Sequence, residues 1–484
     1  MKPTAEQWNR LPRPWLPERE GLLALYGAAW GIAANRGLRP APAWRPGAPP
    51  FLDACFSENI FQWDSCFIAQ WLRYQQGALL PESDALGLLD NFYAAQHDDG
   101  AIPRELRPDG SAEPCKHPQD EHPRTPVHGR HGAFTNPPLF AWAEWDYYRH
   151  TGDASRLPRV LQHVAAYFDW YTRHRSRPAG YLWFDNFGSG MDNLPRGDAW
   201  GWIDYTAQAA LDSEAIANMA LVVGDHSIAE ACSANYLGFK ELVSTKMWDP
   251  WEKRFGDVDD FEVVVGRWHL GLYWTLLADL ATDEQRASLI AALQSPRHFA
   301  RHHPLPVLSA ADPEFQRHGA YWRGSVWPPM NYMVQRALRR SGERELARDV
   351  ALRHLEAMER TFRRTGTIWE NYSPSEDAPG SEARPDFCGW SAIGPIAGLI
   401  EDVLGIEVEG AFQRVDWWIG LDEPHGIDNL RVGPATISLR AVPAPRGWKV
   451  HAESTDSVEL HLHGTTTRRV VDLEPGRPAD LLVL

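Results

Sequence analysis

Apolar residues recur at helical spacing along most of the chain. The clearest stretch puts Leu157, Val160, Leu161, Val164, Phe168 and Tyr171 on one stripe, because helix residues three and four apart share a face. Thr151-Gly-Asp153 just before it reads as a break and a cap. The same periodicity predicts helices near 19–35, 63–77, 83–97, 136–151, 204–224, 227–248, 268–280, 283–294, 325–341, 343–364 and 388–404. With 155–174 they number twelve, and twelve helices in consecutive pairs predict a toroid of hairpins, an (α/α)6 barrel in an otherwise all-α fold class. After about residue 405 the period shortens. Thr436–Arg440, Trp448–His451, Val458–Leu462 and Arg469–Leu473 alternate or cluster β-formers between turns. The expected organisation is a helical domain over 1–405 and a small C-terminal β module over 406–484, the latter a structural cap on the barrel, with a carbohydrate-binding accessory role as the alternative.

Four long connections interrupt the helices, at 98–135, 177–203, 295–324 and 365–387, all rich in Gly, Pro, Trp and charged residues. Structureless connections of this length are uncommon unless they carry function, so working residues are expected on these loops over a rigid scaffold.

Composition narrows the classes. The chain of 484 residues is 44% apolar and 23% charged, which is globular rather than disordered. Its net charge of −16 comes without any basic run, which removes the electrostatic footprint of a nucleic-acid binder. The start MKPTAEQWNRLPRP lacks an apolar secretion core, and no apolar run reaches membrane-spanning length. Five cysteines form no CxxC pair. Free thiols and a cytoplasmic protein without a membrane partner are therefore expected. Tryptophan is the outlier at 23 copies; half are expected in an aromatic core and the rest on a binding surface, where an indole offers a flat apolar face and one N–H.

No glycine-rich phosphate loop, GxSxG elbow or HExxH motif is present. None of the nineteen histidines stands at helical metal-ligand spacing backed by a carboxylate, so neither a cofactor nor a metal is expected. Gly256-Asp-Val-Asp-Asp260 is a weak acidic cluster that reads as a solvated turn. What remains are carboxylates among aromatics and arginines. Phe61-Gln-Trp-Asp-Ser65 opens a predicted helix, where Asp64 either caps the helix or grips a hydroxylated ligand. Gly188-Ser-Gly-Met-Asp-Asn-Leu-Pro-Arg196 carries Asp192 in a turn. Tyr321-Trp-Arg-Gly-Ser-Val-Trp327 precedes another helix, with Arg323 free to act as an ion-pair partner and Trp327 as core. Trp369-Glu-Asn-Tyr372 carries Glu370, and Trp390-Ser391 follows the next loop. Two carboxyl groups flanking one glycosidic bond, with indole faces for the sugar ring, are what glycoside hydrolysis requires.

In order, FQWDSCF, SGMDNLPRG, YWRGSVWPPMN and WENYSPS…DFCGWSAIGP resemble the motifs of clan GH-G glycosidases over roughly residues 50–405. The chain is similar to glycoside hydrolase family 63 and its bacterial mannosylglycerate and glucosylglycerate hydrolase-like relatives, and more distantly to family 37 trehalases. The resemblance implies an (α/α)6 barrel and an inverting α-glycosidase for a small soluble α-glucoside or α-mannoside. Asp192 matches the general acid and Glu370 the general base. Trp63 and Asp64, with Phe61 before them, fall in the sugar-binding motif. Tyr321, Trp322, Arg323, Gly324 and Trp327 match the segment lining the pocket, with Tyr372 and Trp390 beside it. Asn136 in FTNPP stands where relatives carry Gln, and Arg104 in GAIPREL matches only loosely. The spelling GMDNLPR favours the glycosylglycerate-like branch over a trehalase. A sugar epimerase on an α-toroid, which would gather histidines at the pocket, and non-catalytic glycan binding are the competing readings.

Overall fold

The computed structural model describes residues 4–54, 56–112, 135–184, 188–197 and 199–484. Every segment predicted as a helix contains one. They are α1 Glu20–Ile32, α2 Gln62–Leu72, α3 Gly87–Ala94, α4 Phe140–Thr151, α5 Leu157–His174, α6 Ile203–Val223, α7 His226–Lys246, α8 Trp274–Leu277, α9 Asp283–Gln294, α10 Pro328–Arg340, α11 Arg344–Thr365 and α12 Gly394–Val403. Helix α8 is a single turn continuing a 3-10 turn over Leu270–Tyr273, and α12 is wound as a π-helix.

Local chemistry sets these ends. The stripe on α5 buries Leu157, Val160, Leu161, Val164, Phe168 and Tyr171 as the spacing predicts. Helix α4 stops at Gly152, whose φ of +77° is the left-handed conformation that a residue without Cβ adopts freely. Pro328 and Pro329 open α10, where a missing N–H costs nothing.

Even-numbered helices pack against one another: α2 on α4, α4 on α6, α6 on α8, α8 on α10, α10 on α12, and α12 on α2. Odd-numbered helices lie against them, α7 on α6 and α11 on both α10 and α12. Helix α6 is accordingly buried along most of its length, whereas α7 buries only Ala229, Cys232 and Val243. Between the even-numbered helices sits an aromatic column. Trp63 stands edge-on to Phe67 at 5.3 Å, Phe67 to Trp142 at 5.8 Å and Trp142 to Trp274 at 5.9 Å.

The β region holds two sheets. The first orders β1 Arg13–Trp15, β4 His425–Val432, β5 Ala435–Pro443, β6 Trp448–Ser454 and β9 Ala479–Val483; the second orders β2 Ile406–Glu409, β3 Arg414–Trp418, β7 Val458–His463 and β8 Arg468–Leu473. Strand β1 comes from the far N-terminus and pairs Arg13 with Asp428 and Trp15 with Gly426. The β region is thus closed at one edge by residues outside 406–484. It lies at the end of the helices remote from Asp64. Helix α2 carries Asp64 in its first turn and Arg73 just past its last, and Arg73 pairs with Glu401 of α12. Beyond that network Arg149 pairs with Glu409, and Arg344 with Glu407 at 3.0 Å.

Candidate active site

Four chain segments meet at the N-terminal end of α2. The first is the strand–helix junction 60–64. Ile60–Phe61 pairs with Glu105–Leu106, and the Gln62 N–H donates to the Arg104 carbonyl at 2.8 Å. Trp63 and Asp64 are thereby fixed in the first turn, both buried. Asp64 is not a helix cap: Phe61 holds that position, and Asp64 Oδ1 lies buried without a hydrogen-bond partner among the described residues. Burial holds its carboxyl well above the usual aspartate range, and the charges of Asp53, Glu370 and Asp192 push the same way.

The second segment, 188–197, carries Asp192. Gly190 takes φ +78°, and a Cβ there would collide with the Trp63 indole. Asn136 Nδ2 donates to the Gly188 carbonyl at 2.9 Å, while the Asn136 N–H donates to Gln62 Oε1 at 3.1 Å. Asn136 therefore works as a strut between α2 and this turn. Its other end is clamped by Arg196, buried against Trp202 at 4.1 Å and paired with Asp204 and Asp257. Burial opposes ionisation of both carboxyls; Arg196 wins at Asp204, which is held below the usual range, but not at Asp257, which is raised. The expected solvated turn at 256–260 is thus wrong for Asp257. It is 1% exposed and also accepts the Ile203 N–H at 2.9 Å.

Asn193 joins the second segment to the third. Its Oδ1 accepts the Trp322 N–H at 2.8 Å, its Nδ2 donates to the Ala320 carbonyl at 3.2 Å, and its own carbonyl accepts Arg323 Nε at 3.2 Å. Tyr321 sits at φ +58°, a left-handed conformation that strains a non-glycine residue by roughly 1–3 kcal/mol. From there its hydroxyl donates to Glu370 Oε1 at 3.3 Å. Burial raises the Tyr321 phenol above its ordinary value, and the charges of Glu370, Asp192 and Asp64 raise it further. Trp322 stacks on Trp327 at 3.9 Å and 2°, with Trp390 edge-on to both and Trp63 against Trp322. All four indoles are buried. Gly324, at φ +148°, lets the chain pass the Gln316 carbonyl. Arg323 turns outward, 3.5 Å from Glu314.

The fourth segment bears Glu370, 1% exposed. Tyr372 and Val326 exchange both backbone hydrogen bonds, at 2.8 and 2.9 Å, and the Glu370 N–H donates to the Arg384 carbonyl at 2.9 Å. The Tyr372 hydroxyl accepts the Trp369 N–H at 3.1 Å, and its ring faces His303, so it braces the segment from behind. Burial raises the Glu370 carboxyl above the usual glutamate range; the Arg384 charge, the Arg384 N–H and the Tyr321 hydroxyl pull it back only in part. Arg384 Nη1 contacts Glu370 Oε1 at 3.1 Å and lies over Phe56, which is stacked between Phe61 and Phe387 at 5.1 Å from each. Arg384, Asn193 and Phe56 were not among the residues expected from sequence. Asn193 follows the matched Asp192 directly, and that adjacency was the available signal.

Residues 57–391 match the Mannosylglycerate hydrolase MGH1-like glycoside hydrolase domain family. The chain belongs to that family. It is a glycoside hydrolase. This glycoside hydrolase is 25% identical over 413 residues to an uncharacterized protein of Borreliella burgdorferi, covering 82% of the chain and 84% of that protein. It is 24% identical over 254 residues to a probable mannosyl-oligosaccharide glucosidase of Schizosaccharomyces pombe, covering 46% of the chain and 31% of the yeast protein. In fold it resembles the GH63 mannosylglycerate hydrolase of Thermus thermophilus, with a TM-score of 0.59, 17% identity, and 77% and 99% of the two chains covered. The GH78 rhamnosidase of Bacillus sp. GL1 gives a TM-score of 0.66 at 17% identity over 95% of this glycoside hydrolase and 43% of the rhamnosidase. A match of that coverage leaves too few residues unmatched to omit the β region. Among the described residues no helix is long and apolar enough to cross a membrane.

Proposed function

We propose that the glycoside hydrolase is an inverting α-glycosidase of a small α-glucoside or α-mannoside, with Asp192 as general acid and Glu370 as general base. One observation carries the reading: Asn193, next to Asp192, bonds the 320–323 turn from which the Tyr321 hydroxyl reaches Glu370, so the segments bearing the two carboxyls meet beside the buried Asp64. Among the described residues, carboxylates rather than histidines gather here, as a glycosidase needs and a histidine-based epimerase does not. We further read the cycle of even-numbered helices as the inner ring of an (α/α)6 barrel, with this site at one end.

In the proposed reaction Asp192, protonated, gives its proton to the glycosidic oxygen as the bond to the anomeric carbon breaks. Glu370, ionised, takes a proton from the water that attacks the opposite face. The Tyr321 hydroxyl and Arg384 hold Glu370 by Oε1 and favour its charged form, while burial keeps its basicity above that of a solvated glutamate. Asp64, with one oxygen unpartnered, is suited to grip a sugar hydroxyl beside the Trp63 ring. The matched motifs support a glycosylglycerate-like substrate over trehalose. The buried thiols Cys66 and Cys232 support a cytoplasmic address.

The test is turnover on a panel of α-glycosides, including glucosylglycerate, mannosylglycerate, trehalose and short α-glucosides. Asp192→Asn and Glu370→Gln should each lose at least ~100-fold in kcat on the substrate found. An Asp192→Asn variant as active as the parent would remove the acid assignment. Absence of turnover on every member would point to glycan binding instead.

A further inference from the structure

The second sheet carries a cluster that the active site does not use. Strands β3 and β7 run parallel, with Asp416 opposite His461 and Trp418 opposite His463. Alternate residues of a strand share a face, so the sequence His461-Leu-His463 puts both imidazoles beside Asp416 while Leu462 enters the core. His463 Nε2 lies 2.9 Å from Asp416 Oδ1, and His461 Nδ1 lies 3.5 Å from the same oxygen. Asp416 and His461 are 7% and 8% exposed.

The outer contacts decide what this arrangement suits. His461 Nε2 is 2.6 Å from Glu459 Oε1. A carboxylate only accepts, so Nε2 carries a proton, and Nδ1, which faces the donor-only Arg468 guanidinium, presents a lone pair on the side of Asp416. Two acceptors facing each other at 3.5 Å require a positive charge between or beside them. Arg414 supplies one on the Asp416 side, its Nε 2.9 Å from Oδ2, and Arg468 another on the histidine side, its Nη2 3.0 Å from His461 Nδ1, from a side chain that is itself exposed. His463 is fixed by stacking on Trp418 at 4.2 Å and 7°, and Arg344 covers Trp418 at 3.3 Å.

We propose that Asp416, His461 and His463 form a binding site for a divalent first-row metal ion, best fitted to zinc, with the Arg468 guanidinium competing for the His461 Nδ1 lone pair. Two imidazole nitrogens and one carboxylate oxygen are zinc donors, and ligands about 2.0–2.1 Å from a tetrahedral ion stand roughly 3.3 Å apart. The separations of 2.9 and 3.5 Å bracket that edge. Glu459 on the remote nitrogen of His461 is the carboxylate partner that orients a metal-bound histidine. The fourth position falls to water. The ion would tie β3 to β7 in the β region, away from the hydrolytic chemistry.

The test is calorimetric titration of the full chain with zinc after chelation, with cobalt(II) absorption reporting the coordination geometry. One equivalent should bind. His461→Ala and His463→Ala should each weaken binding at least ~100-fold, and Glu459→Gln by about 10–100-fold. Arg468→Ala should tighten binding, because it removes the competing cation; a plain ion-pair network predicts no binding for it to alter. Turnover should be unchanged in all four variants. The proposal is overturned if the parent chain takes up no stoichiometric zinc, if the His461→Ala/His463→Ala double variant binds as well as the parent, or if Arg468→Ala weakens binding.

Discussion

Replacing Asn193 with Ala tests whether the Asp192 turn is held in register with Glu370. The side chain closes two hydrogen bonds to the 320–323 turn, at 2.8 and 3.2 Å, and Tyr321 of that turn reaches Glu370. Truncation leaves the Trp322 N–H without its acceptor, at a cost of about 1–3 kcal/mol. With an unfolding entropy of ~2.1 cal/mol/K per residue over 484 residues, a loss of ~2 kcal/mol lowers Tm by only about 2 °C. The catalytic effect should be larger. Displacing a reacting group by about 1 Å costs on the order of 100-fold, so kcat should fall ~100-fold with a smaller change in KM. Asn193→Asp keeps the acceptor for Trp322 and should recover part of the loss. Thermal melts and steady-state kinetics on the substrate found by the panel give both numbers. A variant with lowered Tm and unchanged kcat would refute the coupling of the two segments.

Other expectations follow from single contacts. Arg384→Met removes a half-exposed charge that lowers the Glu370 pKa, so the acid limb of kcat/KM should move to higher pH; an unmoved limb would mean that Glu370 is not the titrating base. Gly190→Ala forces a Cβ into Trp63 at a left-handed φ and should cut kcat while leaving most of the helical circular dichroism intact. Arg196→Met strands Asp204 and Asp257 in the interior, and denaturant unfolding should register about 3–5 kcal/mol. Burial works against Glu401, but Arg73 and Arg339 outweigh it and hold its pKa below the ordinary glutamate value. Its contribution is therefore present above that value and lost as pH falls through the folded pKa, because the unfolded chain then binds more protons. Glu401→Gln should lower stability at neutral pH and flatten the acid side of the stability–pH curve.

Much of the helical scaffold was legible because amphipathic stripes such as that of α5 are local in sequence. Helix α8 was legible only as a location, since Leu270–Leu277 is buried all round and carries no polar face to set its limits. The edge strand Arg13–Trp15 was not legible: its partner is more than 400 residues away, and three residues have no period. The same distance problem hid Asp257, which lies on a short strand paired with Val264–Val265 and meets Arg196 from another loop. Arg384 was hidden because its role rests on a backbone bridge that folds the 370–384 loop back on itself. Motif order, by contrast, drew attention to the turns around Asp192 and Glu370, where sequence spacing says nothing about proximity. Most indoles of those motifs turned out to be buried packing beneath the site rather than an exposed platform.

The central claim is that Asp192 and Glu370 act on opposite faces of one anomeric carbon. Proton NMR of the sugar released during the first minutes of α-glycoside hydrolysis tests it most directly. The account predicts that the β-anomer appears first and the α-anomer grows in only by mutarotation. Initial release of the α-anomer would contradict it.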